Sequence, residues 1–199
     1  MKKLLFALTG IMIALVLVFA IGGMLLPKSK QMTPRTILID APAETVFAQV
    51  NDLRNWSAWS YWQSMDPQMK VTYGETAEGA GGSYTWDGEK AGTGELRIVA
   101  SEAFTHIETA LDFGKMGKGD GHWNFTDTGE GIEVSWGFTS HAPNLLGRWF
   151  NLVLDGMLAS SFDQGLAKIK AIAEAAPPPA APVNPCANPC GGANPCGSE

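Results

Sequence analysis

Gly121-His-Trp-Asn-Phe-Thr126 and, after a short glycine-bearing turn, Ile132-Glu-Val-Ser-Trp-Gly-Phe-Thr139 carry the pattern that decides the fold. Bulky apolar side chains recur at every second position, Trp123 and Phe125 in the first stretch and Val134, Trp136 and Phe138 in the second. Side chains along a strand alternate between its faces, so this period marks strands buried on one side only. Upstream, Lys70–Tyr73, Ser83–Asp87, Gly94–Ser101 and Phe104–Phe113 read the same way between glycine-rich breaks. Six consecutive strands imply an antiparallel meander with one apolar face. The clusters Gly79-Ala-Gly-Gly82 and Gly117-Lys-Gly-Asp-Gly121 lack the Gly-Lys-Ser/Thr ending of a phosphate loop and read as hairpin turns.

Outward from the meander the period changes. Arg35–Asp40 reads as a strand, and Pro42 and Glu44 open a helix with Val46, Phe47 and Val50 on one face. A turn-rich passage, Asn51–Trp56, leads to a second short helix carrying Trp59 and Trp62. On the other side, Asn144 to about Ala175 is helical, with Leu146, Trp149, Phe150, Val153, Met157, Phe162, Leu166, Ile169 and Ile172 on its apolar side. Gly147, Gly156 and Gly165 each cost a helix about 1 kcal/mol against alanine, which predicts a kink or break in the first half and firm helix after Gly156.

With 199 residues and 45% hydrophobic content the chain can bury one core. Its formal charge of -6 is thinly spread, and the lack of a Lys/Arg run beyond the N-terminus argues against a nucleic-acid partner. Leu4 to Leu26 contains no charge and no proline, and as a helix would reach roughly 35 Å, enough to span a bilayer. Lys2 and Lys3 also suit a secretory signal, but the apolar run is long and its exit lacks an Ala-x-Ala site, which favours an uncleaved single-pass anchor. Basic residues flank the segment almost evenly; a short N-terminus before a long domain places that domain outside the cytoplasm. The expected organisation is an anchor over 1–27, a stalk over 28–33, a folded domain over 34–176 and a low-complexity Pro and Asn-Pro-Cys tail over 177–199.

The order of strand, two short helices, meander and long helix resembles the START-related (SRPBCC) superfamily, in particular its membrane-anchored polyketide cyclase/dehydrase and lipid-transport members. The matching residues are Ile39-Asp-Ala-Pro-Ala-Glu-Thr-Val-Phe47, Asn51-Asp-Leu-Arg-Asn-Trp-Ser-Ala-Trp-Ser60, Trp86-Asp-Gly88 with Gly92 and Gly94, Val134-Ser-Trp136, Asn144-Leu-Leu-Gly-Arg148 and Phe162-Asp-Gln-Gly-Leu166. The sequence departs from the family pattern at Tyr61, where a proline is frequent, and in the cysteine tail. The resemblance implies an α+β helix-grip fold, a curved antiparallel sheet around the C-terminal helix with a hydrophobic cavity between them. Relatives include binders, transfer proteins, cyclases and regulators, so fold alone does not fix function.

Trp56, Trp59, Trp62, Tyr84, Trp86, Trp123, Trp136 and Phe162 are the candidate lining of that cavity; the bland reading is that they fill the core. His106, Glu108 and Asp112 share one strand face, but Ile107, Thr109, Leu111 and Phe113 opposite them fit the interior better, so no catalytic residue is assigned. His122 also points outward by alternation, and the glycosylation-like triplets at Asn55 and Asn124 read as chance. Cys186, Cys190 and Cys196 match no zinc spacing and are weak metal candidates, with a disulfide partner the better-supported role. The expected function is membrane-tethered binding of a lipid or other hydrophobic small molecule through residues 34–176, with no cofactor. A cyclase or dehydratase using the same cavity and a protein-binding regulator are the alternatives.

Overall fold

The computed structural model describes residues 2–177, so the tail cysteines Cys186, Cys190 and Cys196 lie outside the described residues. Helix α1 (Lys2–Leu25) comes first, and then the edge strands β1 (Ser29–Gln31) and β2 (Arg35–Ile39). Helix α2 (Ala43–Asn51) leads through a 3-10 turn (Leu53–Asn55) to the short helices α3 (Trp56–Trp59) and α4 (Tyr61–Met65). The meander consists of β3 (Lys70–Tyr73), β4 (Ser83–Gly88), β5 (Gly92–Glu102), β6 (His106–Asp112), β7 (Lys118–Asp127) and β8 (Ile132–His141), and α5 (Leu145–Ala175) closes the fold. These strands form one 8-stranded sheet in the order β1-β8-β7-β6-β5-β4-β3, with β2 also pairing β8. All ladders are antiparallel, as a meander with short connections requires. The expected α+β helix-grip architecture is present.

Register puts Leu96, Ile98, Ile107, Thr109, Trp123, Phe125, Val134, Trp136 and Phe138 on one face, all buried. The C-terminal half of α5 lies on that face through Phe162, Leu166, Ile169 and Ala173, and α2 closes one end with Val46, Phe47 and Val50. Asp163 of α5 accepts two hydrogen bonds from Arg35 of β2, at 2.7 and 2.6 Å, which fixes the helix across the sheet edge.

Four local expectations are corrected. First, Ser29–Gln31, within the segment read as a stalk, pairs with Thr139–His141, so β1 is part of the sheet. Met32 between β1 and β2 is buried as well. Second, β7 starts at Lys118, three residues before the strand expected from Gly121, so Gly119 is a strand residue and not part of a turn. Third, β6 starts at His106 because Phe104 turns the chain with φ 63, a rare conformation for a bulky residue, and meets Phe47 edge-on at 5.5 Å. Fourth, α5 runs unbroken for 31 residues. Asn144 caps it by accepting from the Gly147 N–H at 2.9 Å, and Gly165 lets it press onto the sheet, since a Cβ there would sit 3.1 Å from Trp136 Cζ3.

Candidate ligand site between the sheet and the long helix

The eight candidate residues come together. Trp123 stacks on Trp136 at 4.2 Å between ring centroids, and Trp136 stacks on Phe162 of α5 at 3.9 Å. Trp59 meets both Trp123 and Trp136 edge-on at 5.8 Å, and Trp62 approaches Trp136 and Phe162 at 6.3 Å. Trp56 bridges Trp59 to Tyr84, which in turn touches Trp86. Edge-to-face and offset contacts of this kind each add about 0.5–1.5 kcal/mol beyond area burial, so the cluster is a substantial part of the core.

Glycines on the inner face make room for the rings. A Cβ at Gly94 would run into Trp86 and lie 2.7 Å from the Asp112 carbonyl, and one at Gly119 would run into the Phe138 ring. The signal for these close approaches is a glycine at an inward position of an alternating strand: Gly94 opens a stretch that reads as a strand, whereas Gly119 falls in a cluster that reads as a hairpin turn.

The expected open cavity is filled by the side chains expected to line it. The cleft beside Trp56 and Tyr84, also lined by Leu53, Ser60, Gln63 and Met69, measures about 20 Å³. That is room for about one water. A shallower cleft of about 160 Å³ is lined by Tyr73, Gly74, Ser83 and Tyr84 at the β3–β4 edge.

Polar groups inside the grip are few and most are committed. The indole N–H of Trp56 donates to Val50 O and that of Trp59 to Gln49 O, both at 2.9 Å, while Trp86 donates to Ala91 O at 3.3 Å. Trp123 differs: it is fully buried and its Nε1 has no partner. Beside it lies the buried Thr109 hydroxyl, which makes a long 3.4 Å bond to Gly121 O. A Cβ at Gly121 would run into Thr109 Oγ1 and lie 3.7 Å from Trp123 Nε1, so this glycine keeps the small polar spot clear. A buried donor without a partner costs about 1–3 kcal/mol. Buried Asp66 accepts the Lys90 and Ala91 N–H groups at 2.8 and 3.1 Å, which hold its carboxyl below the usual range. Burial pushes the Tyr84 phenol above its ordinary value, so it stays neutral.

The other candidates lie on the outer face. Glu108 Oε1 is 3.3 Å from His106 Nε2 and 3.7 Å from His122 Nδ1, and His106 also meets Asn124 at 2.9 Å. Burial alone would lower the His106 pKa, but its hydrogen bonds to Asn124 and Glu108 outweigh that and raise it. Asp112 is paired with Lys118 at 2.9 Å. Asn55 donates to Ala48 O, consistent with a structural role. One chain of bonds escaped sequence reasoning. His141 joins Ser29 Oγ at 2.8 Å to Asp120 Oδ2 at 2.6 Å, which staples β1 to β8 and β7; His141 and Asp120 are 41% and 44% exposed. Ser29 is exposed and His141 and Asp120 are partly exposed on the outer face of the sheet, away from the interior between sheet and helix. No group of His, Cys, Asp and Glu among the described residues is placed to hold a metal.

No curated protein matches the sequence. Among solved structures, a Chromobacterium violaceum protein aligns with a TM-score of 0.53 at 14% identity, over 75% of this chain and 99% of its own. StfQ, a di-domain ARO/CYC from the steffimycin biosynthetic pathway, aligns with a TM-score of 0.56 at 16% identity, over 73% of this chain and 51% of its own. BexL of the BE-7585A pathway, also a di-domain ARO/CYC, gives 0.53 at 19%, over 75% and 52%. These likenesses establish a shared fold, and the chain spans about half of each di-domain protein. The sequence profile described as polyketide cyclase/dehydrase and lipid transport matches residues 33–174, every strand of the sheet but β1 and nearly all of the gripped helix, and the chain belongs to that family.

Proposed function

We propose that this protein is a membrane-tethered domain that binds a lipid or other hydrophobic small molecule between the sheet and α5, and performs no chemistry of its own. The observation that carries the reading is the unpartnered Trp123 N–H beside the Thr109 hydroxyl in an otherwise apolar, ring-lined interior. A ligand with an apolar body and one polar acceptor would satisfy that donor, which nothing in the closed state does. Binding requires the grip to open, because a small-molecule site takes about 300 Å³ or more. Trp62, Leu111, Phe113, Leu154 and Leu158 are only partly buried and form the looser end of the core, where rearrangement costs least.

Two features support the tether. The 20 residues from Phe6 to Leu25 are long and apolar enough to cross a bilayer. The end of α1 is also built into the fold, with Trp149 against Gly22 and Gly23 and donating to Phe19 O at 3.1 Å, which suits a retained segment better than a removed one.

The cyclase or dehydratase alternative needs an acid or base facing the ligand, and the buried carboxylate Asp66 is occupied by two backbone N–H groups. The closed core favours the other alternative, a domain that binds proteins through its outside. One titration separates them. Residues 28–176, incubated with fatty acids, lysolipids or a hydrophobic dye, should show a saturable change in tryptophan fluorescence that is weakened by Trp123→Phe and Thr109→Val. Absence of saturable binding to all of these would favour the protein-binding reading.

A further inference from the structure

The first half of α5 divides into four faces. Leu145 and Trp149 rest on the end of α1, Asn151 with Leu154 and Leu158 faces the sheet, and Arg148 with Asp155 forms a polar edge. Between the first two lies a stripe with no partner: Leu146, Phe150, Val153 and Met157, at 69%, 47%, 56% and 57% exposure. Their spacing of four, three and four residues keeps them on one side of the helix. The only charged residues from Leu145 to Met157 are Arg148 and Asp155, both on the far edge and both engaged. Met116, 75% exposed, tops the turn whose Gly117 abuts Pro143 just before α5.

What covers the stripe is indicated by what adjoins it. Trp149 stacks on Phe19 at 5.6 Å, inside the apolar stretch of α1, and Arg148 donates to the carbonyls of Gly23, Met24 and Leu26 at 3.2, 3.2 and 3.3 Å. The guanidinium therefore closes the C-terminal end of α1, where free carbonyls and the helix dipole favour a cation. If α1 spans a bilayer, these contacts set the first turns of α5 at the depth where the span ends, the level tryptophans favour. The short link to β1, itself paired in the sheet, leaves the domain little freedom to swing away.

We propose that the α5 stripe of Leu146, Phe150, Val153 and Met157, with Met116, lies in the interfacial layer of the bilayer that holds α1, so that the looser end of the grip faces the lipid. This rests on the tethered reading above. The stripe is apolar and uncharged, continuous with the α1–α5 contact and next to Leu154 and Leu158 at that end of the core, so a lipid would reach the interior without crossing water.

The test is photo-crosslinking of the full-length protein in phosphatidylcholine/phosphatidylglycerol vesicles, with p-benzoylphenylalanine introduced singly as Phe150→p-benzoylphenylalanine, Val153→p-benzoylphenylalanine or Met157→p-benzoylphenylalanine. Leu15→p-benzoylphenylalanine in α1 reports on the tether, and Val99→p-benzoylphenylalanine on the outer face of β5 is the aqueous control. Lipid adducts at Phe150 and Val153 should exceed those at Val99 several-fold and approach those at Leu15. Adducts at Leu15 with only control levels on α5 would overturn this inference and leave the tether standing. Protein–protein adducts on the stripe in place of lipid would show a second copy there and overturn it as well. Control levels at Leu15 too would remove the tether and the inference together.

Discussion

At Gly119 and Gly94 a single methyl group decides whether an aromatic ring can lie on the sheet. Phe138 occupies the space over Gly119, and Trp86 with the Asp112 carbonyl the space over Gly94. Gly119→Ala and Gly94→Ala should each destabilise the fold by about 1–3 kcal/mol, since overpacking forces rings off their rotamers or bends the strand. Gly156 meets nothing within 4 Å, and Gly156→Ala should stabilise by about 0.5–1 kcal/mol through helix propensity. Urea denaturation of the three variants checks both signs in one experiment. The same residues mark a limit of sequence reading. Alternation identifies the inward side chains, but an inward glycine has no side chain to alternate, and so Gly119, ahead of the stretch from Gly121, reads as a turn residue.

Among the elements, α5 is tied to its surroundings by groups whose charge matters. Arg35 holds the Asp163 carboxyl below its ordinary range, and Lys170 with the Asp40 N–H does the same for Glu174. Because these folded-state values lie below the unfolded ones, the stabilisation is complete above the ordinary carboxylate range and disappears as pH falls through the lowered values. Melting temperature should therefore fall on the acid side, and Asp163→Asn should flatten that limb. His106 has the opposite sign. Its raised pKa contributes stability that is full below about pH 6.5 and is lost as pH rises through the folded value, so His106→Gln should lessen any decline above neutrality. At the start of α5, Asn144→Ala removes the cap on the Gly147 N–H and should cost about 1 kcal/mol by the same denaturation assay. Element order and the gripped helix were legible because they rest on periodicity. The expected helix break is absent because propensity is a weak prior, and the packing of Leu145 and Trp149 on α1 and of Asn151, Leu154 and Leu158 on the sheet outweighs the glycine cost in the first half. The pairing of β1 could not be read, since three polar residues carry no alternation and their strand state comes from β8.

The whole molecule joins a helix long and apolar enough to cross a bilayer, a sheet that grips a second helix, and a closed aromatic interior in which the Trp123 N–H has no partner. The full chain should remain with membranes through high-salt and alkaline washes, whereas residues 28–176 should be recovered in the soluble fraction; a mature chain beginning after Gly23 would remove the anchor. Which residues gather in the interior was legible from apolar patterning and family resemblance. That they meet ring on ring and leave about 20 Å³ beside Trp56 was not, because side-chain volume and strand curvature decide it. The most direct test of the central claim is native mass spectrometry of residues 28–176, first as purified from cells and then after incubation with excess fatty acid or lysolipid. Binding in the grip predicts a one-to-one adduct with the mass of a lipid, diminished in Trp123→Phe. The mass of the bare chain alone, before and after that incubation, would contradict it.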